Sequence, residues 1–192
     1  MMPRYEVVRQ RARDFYENTE YPPVPIFEIA RSITCVCYTN DPIIKNAACF
    51  HSYELEESRI FVNMFANEYR LNYSLAHETG HIVLDHYIIL VNYAAKHDIH
   101  IPKKLFFWCD IPEVQPLLKV LERESDIFAA ELLMPVKWLV KPKNKTDFEN
   151  LRDSLKVSNE ALTYRLDEES IMPRSVTKSI LNRQYAGVRT AW

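Results

Sequence analysis

A chain of 192 residues with 47% hydrophobic and 26% charged side chains has enough apolar content to bury a core, which excludes a disordered polymer. A formal net charge of -2 supplies no basic field to draw it to nucleic acid or an anionic membrane. No apolar run reaches bilayer-spanning length, and the start Met1-Met2-Pro3-Arg4 lacks the apolar stretch of a secretory signal, so a cytoplasmic protein is expected.

Residues 4–18 carry Val8, Ala12 and Phe15 on one stripe, which predicts a first helix. Pro22, Pro23 and Pro25 break the chain, and Ile26, Ile29, Ala30 and Ile33 predict a short second helix. Three strands are expected next: Cys35–Thr39, Ala47–Tyr53 and Arg59–Phe65. Asn40-Asp41-Pro42 and the charged run Glu54–Ser58 separate them, a spacing that suits an antiparallel meander. Cys35, Cys37, Cys49 and Cys109 read as reduced thiols, with Cys35 and Cys37 as core side chains on one strand face.

A helical pattern then runs from about Glu68 to Val91, and Pro102 with Phe106-Phe107-Trp108 falls in a connecting loop. A long helix is expected from about Val114 to Leu133, with Pro116 in its first turn and Pro135 stopping it. Lys137 to Lys145 reads as a solvated linker, and Thr146 with Glu149 forms a capping box that opens a C-terminal helical segment. The expected fold is α+β: a small three-stranded antiparallel sheet packed by helices.

The chemistry lies in His77-Glu78-Thr79-Gly80-His81. Positions four apart share one helix face, so both imidazoles can reach a single ion. Neutral imidazole binds zinc at about 2.0–2.1 Å, and Glu78 stands beside such an ion as a base rather than a ligand. A catalytic site needs a third protein ligand. A metzincin would place a histidine ten residues after His77, where Tyr87 stands, so that class is excluded. Asp85 lies on the same helix as the histidines, at a poor angle, and His86 reads as solvent-facing or as a partner of a ligand. Glu122 is the better ligand. Asp126, one turn on, would accept a hydrogen bond from the free ring N–H of a ligand histidine. Glu124, on another face of that helix, remains the rival to Glu122. The spacing resembles the gluzincin pattern.

Residues 70–84, with Ala76-His77-Glu78-Thr79-Gly80-His81 at their centre, and residues 122–135, Glu122-Arg123-Glu124-Ser125-Asp126 through Phe128-Ala129-Ala130 to Leu133-Met134-Pro135, together closely resemble the ImmA/IrrE family of metallopeptidases. Ser125 stands where that family often has alanine, Thr79 replaces an apolar residue, and Asp85 occupies a slot often held by histidine. The resemblance implies a zinc metallopeptidase domain over residues 1–140 and a C-terminal helical segment over residues 141–192. It implies Zn2+ on His77, His81 and Glu122, with Glu78 as the catalytic base; Mn2+ or Fe2+ stays open as the ion. The implied substrate is a protein, a Cro/CI-like helix-turn-helix repressor, cut to relieve repression on a mobile element or in a stress response.

Asp147 to Leu166 reads as helix, tight turn, helix and resembles a helix-turn-helix. That supports a rival expectation, a non-catalytic antirepressor or a DNA-binding regulator. Charge opposes the DNA reading, because residues 158–170 carry Glu160, Asp167, Glu168 and Glu169 against Arg165 alone.

Overall fold

The computed structural model describes residues 4–17, 19–52, 57–101, 104–106 and 111–182. Two helices lead, α1 (Tyr5–Tyr16) and α2 (Ile26–Ile33), followed by strands β1 (Cys35–Thr39), β2 (Ala47–Ser52) and β3 (Glu57–Asn63). Helices α3 (Glu68–Val83) and α4 (His86–Lys96) precede a short strand β4 (Lys104–Phe106). The long helix α5 (Gln115–Leu133) and then α6 (Lys145–Leu155), α7 (Asn159–Glu168) and α8 (Arg174–Asn182) complete the described elements. The architecture is α+β as expected, but the sheet is not.

The sheet has four strands in the order β1-β3-β2-β4, and β1 runs parallel to β3. The expected three-stranded antiparallel meander is therefore corrected. Ile60 and Val62 of β3 and Ala48, Cys49 and Ser52 of β2 are withdrawn from solvent, so these two strands hold the centre. No residue of β1 is buried, so β1 sits at the edge, and the chain must cross over to place β3 between β1 and β2. Phe106, expected in a loop, lies in β4, while Phe107, Trp108 and Cys109 fall outside the described residues.

The register sets which side chains meet the helices. Val36, Ile60 and Cys49 share the covered face, so Cys35 and Cys37 lie on the opposite one beside Arg59 and Phe61. Cys35 is exposed and its Sγ is 3.5 Å from that of Cys37, which corrects the core placement of the pair.

The expected helix from Glu68 to Val91 is two helices. Asn67 caps α3 by accepting from the backbone N–H groups of Tyr69 and Arg70. The chain then breaks at Asp85, which takes the left-handed conformation at φ 56°. At the C-terminal segment the cap is Asn144, whose side chain accepts from the Asp147 N–H, rather than Thr146 with Glu149. An earlier start satisfies the same orphan N–H groups with a stronger capping residue.

Buried side chains of α6 and α7, including Phe148, Leu151, Leu155, Leu162 and Leu166, join the same apolar cluster as Leu121, Phe128 and Leu132 of α5. A charged clasp reinforces that contact. Arg165 of α7 donates to Glu131 of α5 at 2.7 Å and to the Met134 carbonyl at 3.2 Å. Arg9, Arg13 and Tyr16 of α1 donate to the same Glu131.

Candidate metal centre

The crossing of α3 and α5 forms the site. Gly80 makes the close approach possible: a Cβ there would stand 3.0 Å from Cδ1 of Phe128. With that separation, one ligand atom each from His77, His81 and Glu122 lies within 4.8 Å of the others. The Nε2 atoms of His77 and His81 are 3.1 Å apart, and Glu122 Oε2 is 3.1 Å from His77 Nε2. The Glu122 side chain is 45% exposed, so the cluster opens to solvent on the α5 side.

Each imidazole is held from behind. His77 Nδ1 is 3.0 Å from Asp126 Oδ1, the arrangement anticipated for Asp126. His81 Nδ1 is 2.9 Å from Nδ1 of His86, the first residue of α4. His86 is buried, and of its two expected placements the structure shows the inner one, behind His81. On an uninterrupted helix His86 would lie about 140° around the axis from His81. The break at Asp85 turns it back.

Glu124 is buried and directed elsewhere. Its Oε2 lies 3.2 Å from His86 Nε2 and accepts from Arg4 Nη2 at 2.8 Å, and its Oε1 accepts from the Arg4 backbone N–H at 2.8 Å. Burial alone would raise its carboxyl, but the hydrogen bonds from His86 and Arg4 outweigh burial and hold it at about 2. The structure thus groups Glu122, not Glu124, with the two histidines. No sequence signal pointed to Arg4, which acts on Glu124 across 120 positions.

Glu78 sits on the neighbouring face of α3, toward the sheet. Its Oε2 accepts from the backbone N–H of Cys49 at 2.9 Å. Among the described residues β4 pairs with Phe50, His51 and Ser52 and not with Cys49. Burial raises the Glu78 carboxyl to about 7, against the opposing pull of His77 and the Cys49 N–H. A carboxyl that changes charge near neutrality can take up and release a proton under ordinary conditions. Burial also lowers His81 well below its usual range, with His77 and His86 adding to the effect, so that ring is a neutral lone-pair donor. Burial would lower His77 too, but its hydrogen bonds to Asp126 and Glu122 outweigh burial and raise it to about 10, so that ring gives up a proton when it binds an ion. The donor set fits a zinc ion, since two imidazoles and a carboxylate leave one coordination position open.

A cleft of about 610 Å³ adjoins the cluster, lined by Tyr73 and Asp126 at one end and by Ser158, Tyr164 and Arg165 of the α7 region at the other. Among the described residues no helix is long and apolar enough to cross a membrane.

Fold and site together define an α+β chain whose crossed helices bring together two histidines and a glutamate able to hold a metal. No family model and no curated protein matches the sequence. Among solved structures, the fold is similar to that of a Mycobacterium tuberculosis transcriptional regulator, with a TM-score of 0.54 at 11% identity. The match covers 84% of this chain and 46% of the regulator, so the chain spans about half of that protein's length.

Proposed function

We propose that this chain is a zinc-dependent endopeptidase of the ImmA/IrrE type whose substrate is a Cro/CI-like helix-turn-helix repressor. One observation carries the reading: donors from His77, His81 and Glu122 lie within 4.8 Å of each other, and Glu78, outside that set, is held beside them by the Cys49 N–H. Bound there, zinc would polarise a scissile carbonyl and make water acidic enough to lose its proton near neutral pH. Glu78 receives that proton and passes it to the departing amine. Its hydrogen bond to Cys49 fixes the carboxylate without consuming its second oxygen. Among the described residues no strand pairs with Ala47–Cys49 on that side of β2; Glu78 and the Tyr87 hydroxyl take the Cys49 N–H and carbonyl, which leaves Ala47 as the edge position where an extended peptide can pair.

The rival DNA-binding reading finds little support in α7. Arg165, the one cation of residues 158–170, is buried and paired to Glu131. What remains exposed around it includes Glu160 and Tyr164. The similarity to a transcriptional regulator concerns the fold.

Co-expression with a Cro/CI-like repressor and its reporter tests the proposal. Wild-type protein should cut the repressor and raise the reporter. Glu78→Gln keeps the side-chain shape and the metal ligands but removes the base, and should lose about 10²–10⁴ in rate. Equal derepression by Glu78→Gln, with the repressor intact, would replace the peptidase reading by a non-catalytic antirepressor.

A further inference from the structure

We infer that His86, Glu124 and Arg4 form a buried hydrogen-bonded chain that positions His81 and holds it in the one tautomer able to bind a metal. The inference rests on the metal-site reading above and concerns residues that are not themselves ligands.

The chain runs inward to outward through three links. His81 Nδ1 to His86 Nδ1 is 2.9 Å, His86 Nε2 to Glu124 Oε2 is 3.2 Å, and Arg4 Nη2 to Glu124 Oε2 is 2.8 Å. The side chains of His86 and Glu124 are fully withdrawn from solvent, and that of His81 is 1% exposed. Water therefore has little room to substitute for any link.

Two imidazole nitrogens facing each other allow only one donor between neutral rings. If His86 donated, the proton of neutral His81 would sit on Nε2, the nitrogen that faces His77 and Glu122, and would block a metal. If His81 donates, its Nε2 lone pair is free, His86 Nδ1 is bare, and the His86 proton sits on Nε2. That proton points at Glu124, a carboxylate that can only accept. The acceptor at the outer end thus selects the metal-competent tautomer at the inner end. Ser125 Oγ lies 3.4 Å from His86 Nδ1 on the same side, but the single lone pair of that nitrogen is taken by the His81 proton. Arg4 completes the arrangement by keeping Glu124 ionised and oriented through its guanidinium and its backbone N–H.

The two ligand histidines are thus supported unequally. His77 meets Asp126 directly, at a side chain that is 43% exposed. His81 reaches its carboxylate through an intervening imidazole in the interior. Partners of this kind typically change metal affinity by about 10–100-fold when removed.

Zinc affinity measured by chelator competition tests the inference, using wild type, His86→Leu and His86→Gln, with thermal melting of each in its metal-free form as the folding control. His86→Leu should bind zinc about 10–100-fold more weakly. His86→Gln retains an acceptor for His81 and a donor for Glu124, and should recover most of that loss. Unchanged affinity in His86→Leu, or equal weakness in both variants, would overturn the inference and leave His86 as packing. Should the variants not fold, long-range ¹H–¹⁵N correlation on zinc-loaded wild type decides: the protons belong on His81 Nδ1 and His86 Nε2, and a proton on His86 Nδ1 rejects the chain. A wild type that holds no zinc fails the metal-site reading first, a result distinct from weak binding confined to the variants.

Discussion

At the scale of single residues, the two glutamates of α5 show how a two-residue step separates the member of the histidine cluster from a buried partner of His86 and Arg4. Glu122 and Glu124 differ by about 200° around the helix. One faces His77 and His81; the other faces Arg4 and His86. Removing a ligand deletes a bond to the ion, whereas removing a support only loosens a ligand. His77→Ala and His81→Ala should therefore lose stoichiometric zinc, and Glu122→Gln should weaken binding more than Glu124→Gln does. Metal analysis of the purified variants, followed by chelator titration, reads this order. Full zinc content in the double histidine variant, or the reverse order of the two glutamine variants, would contradict the assignment.

At the scale of elements, the spacing of α3 and α5 governs the site, because the ligands come from both. Gly80 and Phe128 form the contact. Alanine in a helix interior gains about 0.5–1 kcal/mol over glycine. Here the added methyl would meet three Phe128 carbons at 3.0–3.3 Å, on a side chain that is itself fully buried. Overpacking of that kind costs about 1–3 kcal/mol, so overpacking wins. Gly80→Ala should lower stability by about 1 kcal/mol and weaken zinc binding, as Glu122 is pushed from the histidines. Denaturant unfolding of the metal-free protein checks the first effect and chelator titration the second. A stabilised Gly80→Ala with full zinc affinity would show that Phe128 yields freely.

At the scale of the whole molecule, two buried carboxylates tie distant parts of the chain together. Glu124 joins the N-terminal Arg4 to α4 and α5, and Glu131 joins α1 to α7 through Arg9, Arg13 and Arg165. Burial pushes both carboxyls up, but their arginine and histidine partners outweigh it. Glu124 lies at about 2, and Glu131 below its ordinary 4.5. Groups more acidic when folded than when unfolded stabilise fully above the unfolded value and lose that contribution as pH falls through the folded one. Metal-free protein should thus lose the Glu124 contribution between pH 4.5 and about 2, and the Glu131 contribution as pH falls below 4.5, which releases α1 and α7 from α5. Thermal melts across that interval measure it, and a flat profile would show that the clasp contributes little.

How much of this was legible in advance follows from the range over which each feature is decided. The helices, the pair His77 and His81, and the placing of Glu122 and Asp126 one turn apart are matters of periodicity, and periodicity is local. The positions of β1, β2 and β3 were visible for the same reason, and that of β4 was not. Strand order was not visible either, because β2 and β3 take the centre through burial against helices that come later in the chain. His86 was ambiguous because one left-handed residue, Asp85, ends the helix on which its direction would have been counted. Arg4 carried no signal, since its partner is 120 positions away. The sequence by itself determined which residues could bind a metal and on which helix faces they stand. Only the tertiary structure decided which of them converge and which buried groups hold them, because convergence depends on how two helices cross and periodicity describes one helix at a time.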